Sequence, residues 1–420
     1  MDVLIVGGGP AGSVAAALLA RAGVETVLLH QNLPRPPAGE VLLPHAGPLL
    51  ADLEAEAAVR SLPATQMAAG TSYCRGDGSS GCHYWFEEAL APALPQAYHV
   101  RRDEFDALLL ARARALGVEV LEGWSAASPI WEGDRLAGVT VREPEGWEDT
   151  VRTRTLLDAS GQRSFLASRM GWRFPYPRHR KVAVRARYTP APAAPDGAAG
   201  NATVLVSPLG RIAIIPLRDG SAQVDAVLDA SASAGLPQPP EQLLTLALAA
   251  APQATRRLGP ARLLAPPQGV SDFSYRVTRL AGDGFCLLGD AAGFFDPLFF
   301  TGTFLAMAAA ACVADDILDA LRRHRRVDRN DLAPTVLLTR SLHRLYGAFV
   351  RSFHDPRFLE CFLAGCQRLG ARPAMTSLLA GDVLRPGLQR RALRPRLLRL
   401  LAKLQPYPQR PAVALDRRPA

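Results

Sequence analysis

The stretch DVLIVGGGPAGSVAA, residues 2–16, constrains this chain more than any other. DVLIV is a short unbroken apolar run, the pattern of a strand buried on both faces. GGGPAG follows, an alanine-rich helical segment runs to about Ala22, and ETVLL (25–29) reads as a second strand. This βαβ start places Gly7, Gly9 and Gly12 at the strand-to-helix turn with G-x-G-x-x-G spacing. The first glycine permits the tight turn, the second lets a pyrophosphate approach the backbone, and the third lets helix and strand pack closely. The helix N-terminus then faces the phosphates. The spacing alone is a weak signal; between a strand and a helix it points to a dinucleotide. An acidic residue normally ends the second strand and holds the ribose hydroxyls. Here the strand reads VLLHQN, so His30 or Gln31 is the expected ribose partner.

Downstream, LPRPPAGEVLLPHAGP (33–48) is proline-rich and irregular, and 64–100 suggests short strands with glycine turns. HVRRDEFDALLLARARALG (99–117) reads as a helix with an apolar face, ending at Gly117. VEVLEG and LAGVTVRE read as strands, and TRTLLDASGQRS (153–164) as a strand opening into a loop. From Lys181 to Leu228 the segments KVAVRARY, ATVLVSP, RIAIIPL and AQVDAVLD alternate with the period of an antiparallel sheet, interrupted by a Pro/Ala-rich surface loop at 190–199. GFCLLGDAAG (284–293) reads as a buried strand returning to the nucleotide domain, and 303–322 and 334–404 as helical. The expected organisation is α/β. A Rossmann-like domain spans 1–180 and 270–325, with parts of 64–100 on the substrate side. An antiparallel substrate sheet is inserted at 181–269, and a helical C-terminal region covers 326–420.

The net charge of +9 rests on arginine, since Lys181 and Lys403 are the only lysines. No recognition helix or nucleic-acid motif accompanies it, so nucleic-acid binding is not expected. The six cysteines (74, 82, 286, 312, 361, 366) show neither CxxC nor metal-ligand spacing. No metal site is expected, and the thiols read as buried in a reducing compartment. With no secretory pattern at the start and no apolar run long enough to span a bilayer, the expectation is a cytoplasmic protein. The basic stretch RPGLQRRALRPRLLRLLAKL (385–404) reads either as a self-packing amphipathic helix or as a docking surface for an acidic partner or a membrane surface.

GDAAGFFDPLFFTG (289–302) mixes Asp290 and Asp296 with Phe294, Phe295, Phe299 and Phe300. A core strand does not normally keep unpaired carboxylates, and a solvent loop does not normally keep four phenylalanines. The mixture suggests a loop closing over something partly polar and partly flat. Taken in order, GGGPAG, LLDASG (156–161) and GFCLLGDAAGFFDPLFFTG (284–302) resemble the FAD-dependent monooxygenases of the para-hydroxybenzoate hydroxylase fold, and most closely their flavin-dependent tryptophan halogenase-like branch. GEVLLP (39–44) is similar to that branch's loop after the second strand. HVRRDEFDALL is similar to the helix whose arginine, here Arg102, contacts the cofactor. The resemblance covers about residues 1–310 and implies FAD. Gly7, Gly9 and Gly12 would hold its pyrophosphate and His30 or Gln31 its adenosine ribose. Glu40 and Arg102 would lie beside the flavin, Asp158 near the pyrophosphate and ribityl chain, and Asp290 on the ribityl chain. Pro297, Thr301 and Gly302 would meet the ring, with a helix N-terminus toward its pyrimidine edge.

The resemblance also implies dioxygen chemistry through a flavin C4a-hydroperoxide, which needs a dry cavity, with electrons from NAD(P)H or a separate flavin reductase. Halogenases of this branch carry a lysine between the first βαβ unit and the arginine helix, and a WxWxIP signature. This chain has no lysine before Lys181 and reads GRIAIIP (210–216), keeping Ile215 and Pro216 without the tryptophans. Hydroxylation of an aromatic substrate is therefore expected ahead of halogenation. The degraded signature and helical C-terminus resemble flavoproteins that hydroxylate a peptidyl tryptophan of a partner protein during tryptophylquinone biogenesis, for quinohemoprotein amine dehydrogenase or the lysine-oxidase type. The alternatives are a small-molecule aromatic hydroxylase or halogenase-like tailoring enzyme, a flavin-dependent reductase or dehydrogenase, and a non-catalytic FAD-binding scaffold. His45 in LLPHAG and Asp296 in the lid are the candidate catalytic bases, each open to a structural role such as helix capping by Asp296. His83, Tyr84 and Trp85 read as substrate-side or core aromatics.

Overall fold

The computed structural model describes residues 1–384 apart from 33–37, 92, 177–179, 192–197, 199, 230–238, 272, 325 and 368–369; the basic stretch 385–404 and Lys403 lie outside the described residues. Strand β1 (Val3–Val6) is buried along its whole length. It pairs in parallel with β2 (Thr26–His30) on one side and β3 (Thr155–Asp158) on the other, Ile5 standing opposite Leu28 and Leu157. Glu119–Glu122 extends this six-stranded sheet beyond β2, while Phe285–Leu287 and Ala281–Gly282 extend it beyond β3. Parallel neighbours require a crossover, and helix α1 (Pro10–Arg21) supplies it. Ala15, Ala16 and Ala17 are buried, so this helix packs closely, against the sheet and against helix α3 (Gly302–His324). Gly12 is required there: a Cβ on it would collide with the carbonyl oxygen of Gly7. No side chain caps α1, which leaves its first-turn amides unspent.

The second layer is an eight-stranded sheet built around β4 (Lys181–Thr189), β5 (Gly210–Pro216) and β6 (Ala222–Asp229), continued by Ala202–Ser207, Gly70–Arg75 and Gly81–Trp85. The sequence suggests an antiparallel sheet, and one pairing departs from it: Ala202–Val206 runs parallel to Thr71–Arg75. The 70–85 hairpin arrives by a long connection, so no tight turn forces it to be antiparallel. Alternation along the strands splits the sheet into two faces. Val184, Ala186 and Tyr188, with Ile212 and Ile214 and with Val224, Ala226 and Leu228, pack against helices Pro240–Ala249 and Pro252–Leu258. The opposite positions look toward the first sheet. Helix α2 (Arg102–Ala115) flanks α1.

Helix α4 (Ala333–Phe353) and the short helices Pro356–Leu363 and Arg372–Leu379 close the other side. Phe299 of the lid stacks on Phe349 with centroids 3.8 Å apart, and Phe353 and Phe362 pack edge-on nearby. Phe299 is therefore bound into the helical core. Among the described residues no helix is long and apolar enough to cross a membrane, and no cluster of His, Cys, Asp and Glu is arranged to hold a metal ion.

Candidate cofactor and active site

A cleft of about 720 Å³ lies between the two sheets, within the range of small-molecule and cofactor sites. One end is the β1–α1 turn, Gly7 to Ala11, with His30 and Gln31 at the close of β2; the other is the lid and the start of α3, including Pro297, Phe300, Gly302 and Thr303. Gly7 has φ +112°, and a Cβ on it would strike the carbonyl oxygen of Ala159; a Cβ on Gly8 would come within 2.6 Å of His30 Nδ1. At the far end a Cβ on Gly302 would meet nothing within 4 Å. Glycines thus line both ends, held close against the protein at Gly7 and Gly8 and open at Gly302. The cradle fits FAD, which needs an anion site and a flat-ring site far apart. Gly7, Gly9 and the α1 amides would hold the pyrophosphate, and the lid end would hold the ring.

The middle of the cleft is charged. Arg102 donates from Nε and Nη2 to Asp106 Oδ1 and Oδ2, both at 3.0 Å, and its Nη1 lies 3.5 Å from Glu40 Oε2. Burial pushes the Glu40 and Asp290 carboxyls above their ordinary range, with Arg102 acting against the shift in both. Tyr275 Oη donates to the Asp290 carbonyl oxygen at 2.6 Å and fixes the turn that carries this aspartate. Asp158 does not line the cleft. It accepts from Ser160 N at 3.1 Å, Ser160 Oγ at 2.5 Å and Leu166 N at 2.8 Å. It therefore shapes the loop whose Ala159, Ser160 and Gly161 do line it. At the β2 end, Gln31 Oε1 accepts from Arg163 Nη1, and no described carboxylate lines that part of the cleft.

Neither of the two named catalytic candidates lines this cleft; Asp296 lines a smaller cavity behind the lid. Asp296, with its side chain 1% exposed, is ion-paired to Arg211 Nη2, lies 3.9 Å from Lys181 Nζ and accepts from Leu298 N at 2.8 Å. Lys181 in turn donates to Asp229 Oδ1 at 2.8 Å. Asp296 thus has the surroundings of a clamp pinning the lid to the sheet, because two buried cations already engage its charge. His45 Nε2 sits 3.7 Å from Asp382 Oδ1, and its backbone N–H donates to Ala380, so it ties the 44–46 turn to the C-terminal helices. Thr301 lines the same smaller cavity and not the main cleft. Of the substrate-side aromatics, Tyr84 Oη donates to the Phe362 carbonyl at 2.6 Å, and His83 pairs with Ser72 Oγ at 2.7 Å; both belong to the core.

The sequence reading missed Arg185, Arg211 and Asp225, which form the sheet floor of the cleft. Burial raises the Asp225 carboxyl, opposed by Arg185, whose Nε is 3.8 Å away. A signal existed: the three occupy the strand positions opposite in parity to the apolar set Val184, Ile212 and Val224.

The family model described as FAD binding domain matches residues 1–331. Tryptophan 2-halogenase of Chondromyces crocatus is 32% identical over 321 residues, covering 75% of this chain and 60% of that protein. Flavin-dependent halogenase armH3 of Armillaria mellea is 30% identical over 344 residues, covering 76% of this chain and 68% of that protein. The 1H-pyrrole-2-carbonyl-[peptidyl-carrier protein] chlorinase of Pseudomonas fluorescens is 26% identical over 391 residues, covering 85% and 86%. This chain therefore spans about 60% of the length of the first of these relatives. Among solved structures, flavin-dependent brominase Bmp2 superposes with a TM-score of 0.85 at 23% identity, covering 96% of this chain and 98% of that one, a likeness of fold.

Proposed function

We propose, on the premise that this chain belongs to the FAD binding domain family and is closely related to the flavin-dependent halogenases, that it uses FAD and dioxygen to functionalise an aromatic ring. FAD supplies two-electron redox chemistry and, once reduced by NAD(P)H or a separate reductase, reactivity toward dioxygen. The chain's own residues bind and shield it. The Gly7–Ala11 turn and the α1 amides take the pyrophosphate, and Glu40, Arg102 and Asp290 take the ribityl chain. The first amides of α3 offer donors to the pyrimidine edge. The observation that carries the reading is the lid: a glycine-cradled cleft ends beneath an apolar loop pinned by Asp296, Arg211 and Lys181, which would shield a bound ring from water.

Halogenation of the ring, with halide oxidised at the expense of dioxygen, is the reading the relatives favour, and it reverses the order expected from the sequence. Hydroxylation is the second reading. It is favoured by the absence of any lysine before Lys181, itself held in ion pairs, and by a β5 that reads GRIAIIP without tryptophan. Its narrowest form is a peptidyl tryptophan of a partner protein. The test offers FAD-loaded protein, with flavin reductase, NADH, oxygen and chloride or bromide, a panel of free indoles and phenols, a carrier-bound pyrrole and a tryptophan-bearing partner. Mass spectrometry then reads the products. Halogen in the product supports the first reading, and oxygen without halogen supports the second. Dehydrogenation alone, or no product from a protein that has taken up FAD, refutes the proposal.

A further inference from the structure

We propose that an arginine-rich face beside the lid docks an acidic partner polypeptide, whose carboxylates meet Arg276, Arg279, Arg340, Arg344 and Arg351 around the exposed ring of Phe174. Such docking needs nothing of the ring chemistry proposed above. The face begins in the sequence: no Asp or Glu occurs from 159 to 195 or from 332 to 354, while arginine recurs through both stretches. The fold lays the two side by side. Strand Arg173–Pro175 pairs with Tyr275–Val277, Phe174 opposite Arg276, and the latter strand pairs with Gly293–Phe294 of the lid. Thr278 N donates to the Trp172 carbonyl at 3.0 Å, and Arg340 Nη2 of α4 donates to the Thr278 carbonyl at 3.4 Å. One turn on, Arg344 Nε donates to the Arg340 carbonyl at 3.3 Å. Burial raises the Tyr176 hydroxyl's pKa, and Arg276 and Arg351 both act against that rise, so both reach this one side chain.

Elsewhere the arginines of this chain find acids: Arg112 pairs with Glu54, Arg135 with Asp328, Arg152 with Glu132 and Arg154 with Asp2. On this face they do not. All five arginines are exposed. Among the described residues they make no ion pair, and what they touch is rings, backbone and one serine. Arg276 lies 5.6 Å from the ring centre of Phe174, Arg279 5.2 Å from that of Trp172 and Arg351 5.7 Å from that of Phe295. These rings hold the guanidinium groups in place. Like charges gathered in this way repel one another, and an anionic surface laid across them relieves the repulsion. Apolar side chains stand among them, Phe174 being 43% and Met170 39% exposed. Arginine, aromatic residues and methionine are the types enriched where proteins meet.

The chemistry favours a polypeptide over the other polyanions. Guanidinium forks seated on rings are pre-organised to bind carboxylates in pairs. A nucleic-acid strand would need bare aromatic faces on which to stack, and here Arg173 covers Tyr275 at 3.8 Å and Arg279 covers Trp172. A membrane surface takes up a helix that turns an apolar face outward, whereas α4 buries Leu342, Leu345, Tyr346 and Phe349. The face also adjoins the lid. Ser274 Oγ donates to the Phe295 carbonyl at 2.6 Å, and Tyr176 meets the Phe295 ring edge-on at 5.2 Å. A chain docked here therefore lies against the loop that closes the cleft.

The test uses the full chain and a fluorescein-labelled peptide of Glu-Glu-Tyr repeats, with binding followed by fluorescence anisotropy. The peptide is expected to bind, and to weaken as salt rises. The matching Gln-Gln-Tyr peptide should not bind. Each exposed charge pair is worth about twofold to threefold in affinity, so the triple variant Arg276→Gln, Arg340→Gln, Arg344→Gln should bind the acidic peptide about tenfold more weakly. The same three positions changed to lysine keep the charge without the fork and should fall between the two. FAD uptake should be unchanged in both variants, which shows that they fold. A control triple variant in the basic stretch, Arg390→Gln, Arg391→Gln, Arg394→Gln, should bind as the parent does. Equal binding of the two peptides, unchanged affinity in the Arg276, Arg340 and Arg344 glutamine variant, or a loss confined to the control overturns the site. So does tighter binding to phosphatidylserine vesicles or to an oligo-dT strand than to the acidic peptide. Because no turnover is read, these outcomes stand apart from those that decide the proposed function.

Discussion

Asp296→Asn separates a lid clamp from a catalytic base. Asp296, Lys181 and Arg211 have side chains only 1%, 3% and 7% exposed. Asparagine keeps the shape and, through Oδ1, the bond from Leu298 N, but removes the anion between two cations. Lys181 retains Asp229 at 2.8 Å, whereas Arg211 loses its ion-pair partner. Breaking one side of a buried pair costs about 3–5 kcal/mol. Arg211 also faces the open cleft, so the low end, about 3 kcal/mol, is expected. At about 2–4 °C per kcal/mol for domains of 150–250 residues, the unfolding midpoint should fall by about 6–12 °C. Scanning calorimetry on apo and FAD-loaded protein reads this directly, and the gap between the two should shrink if the loosened lid grips FAD less well. A double-mutant cycle with Arg211→Met should return a coupling of about 2–3 kcal/mol. An unchanged midpoint, together with a lost limb in the pH–rate profile, would refute the clamp and make Asp296 the base.

Gly12→Ala drives a Cβ into the Gly7 carbonyl oxygen, so the α1 N-terminus must shift; reconstituted protein should hold little flavin by absorbance, and normal uptake would contradict the cradle. Tyr275→Phe removes the hydrogen bonds to the Asp290 carbonyl and Ser164 and should lower urea stability by about 1–2 kcal/mol with faster FAD release. His99, which pairs with the Pro216 carbonyl at 3.0 Å, is held by burial at a pKa of about 4 against an ordinary 6.5. A depressed histidine pKa leaves stability intact above pH 6.5 and removes it as pH falls toward 4, and His99→Gln should flatten that slope in a pH series of unfolding midpoints. Asp290 has the opposite sign: its raised pKa means that apo-protein loses stability as pH climbs out of the ordinary carboxylate range. Asp290→Asn should therefore stabilise apo-protein at neutral pH, by the same assay, while weakening FAD.

Much of the candidate site's lining was legible because its determinants are local. A buried apolar strand, a glycine turn and a small-residue helix declare themselves over about twenty residues, and β1, α1 and β2 fall where that pattern puts them. Pro297 and Gly302 line the ring end of the cleft, and Glu40, Arg102 and Asp290 its middle. The strand alternation at 181–229 was legible too, but not which parity faced the cleft, so Arg185, Arg211 and Asp225 went unread.

The sequence by itself determined the βαβ cradle, the α/β class and the order of the three flavin-associated segments, since each depends on residues close together in the chain. Only the tertiary structure decided what the charged side chains do. Asp296 meets Arg211 from 85 residues away, Asp158 spends its oxygens on its own loop, and His45 turns to Asp382. A carboxylate's role follows from the cations and donors that surround it. In a folded chain those arrive from strands and helices whose spacing in sequence carries no record of the meeting.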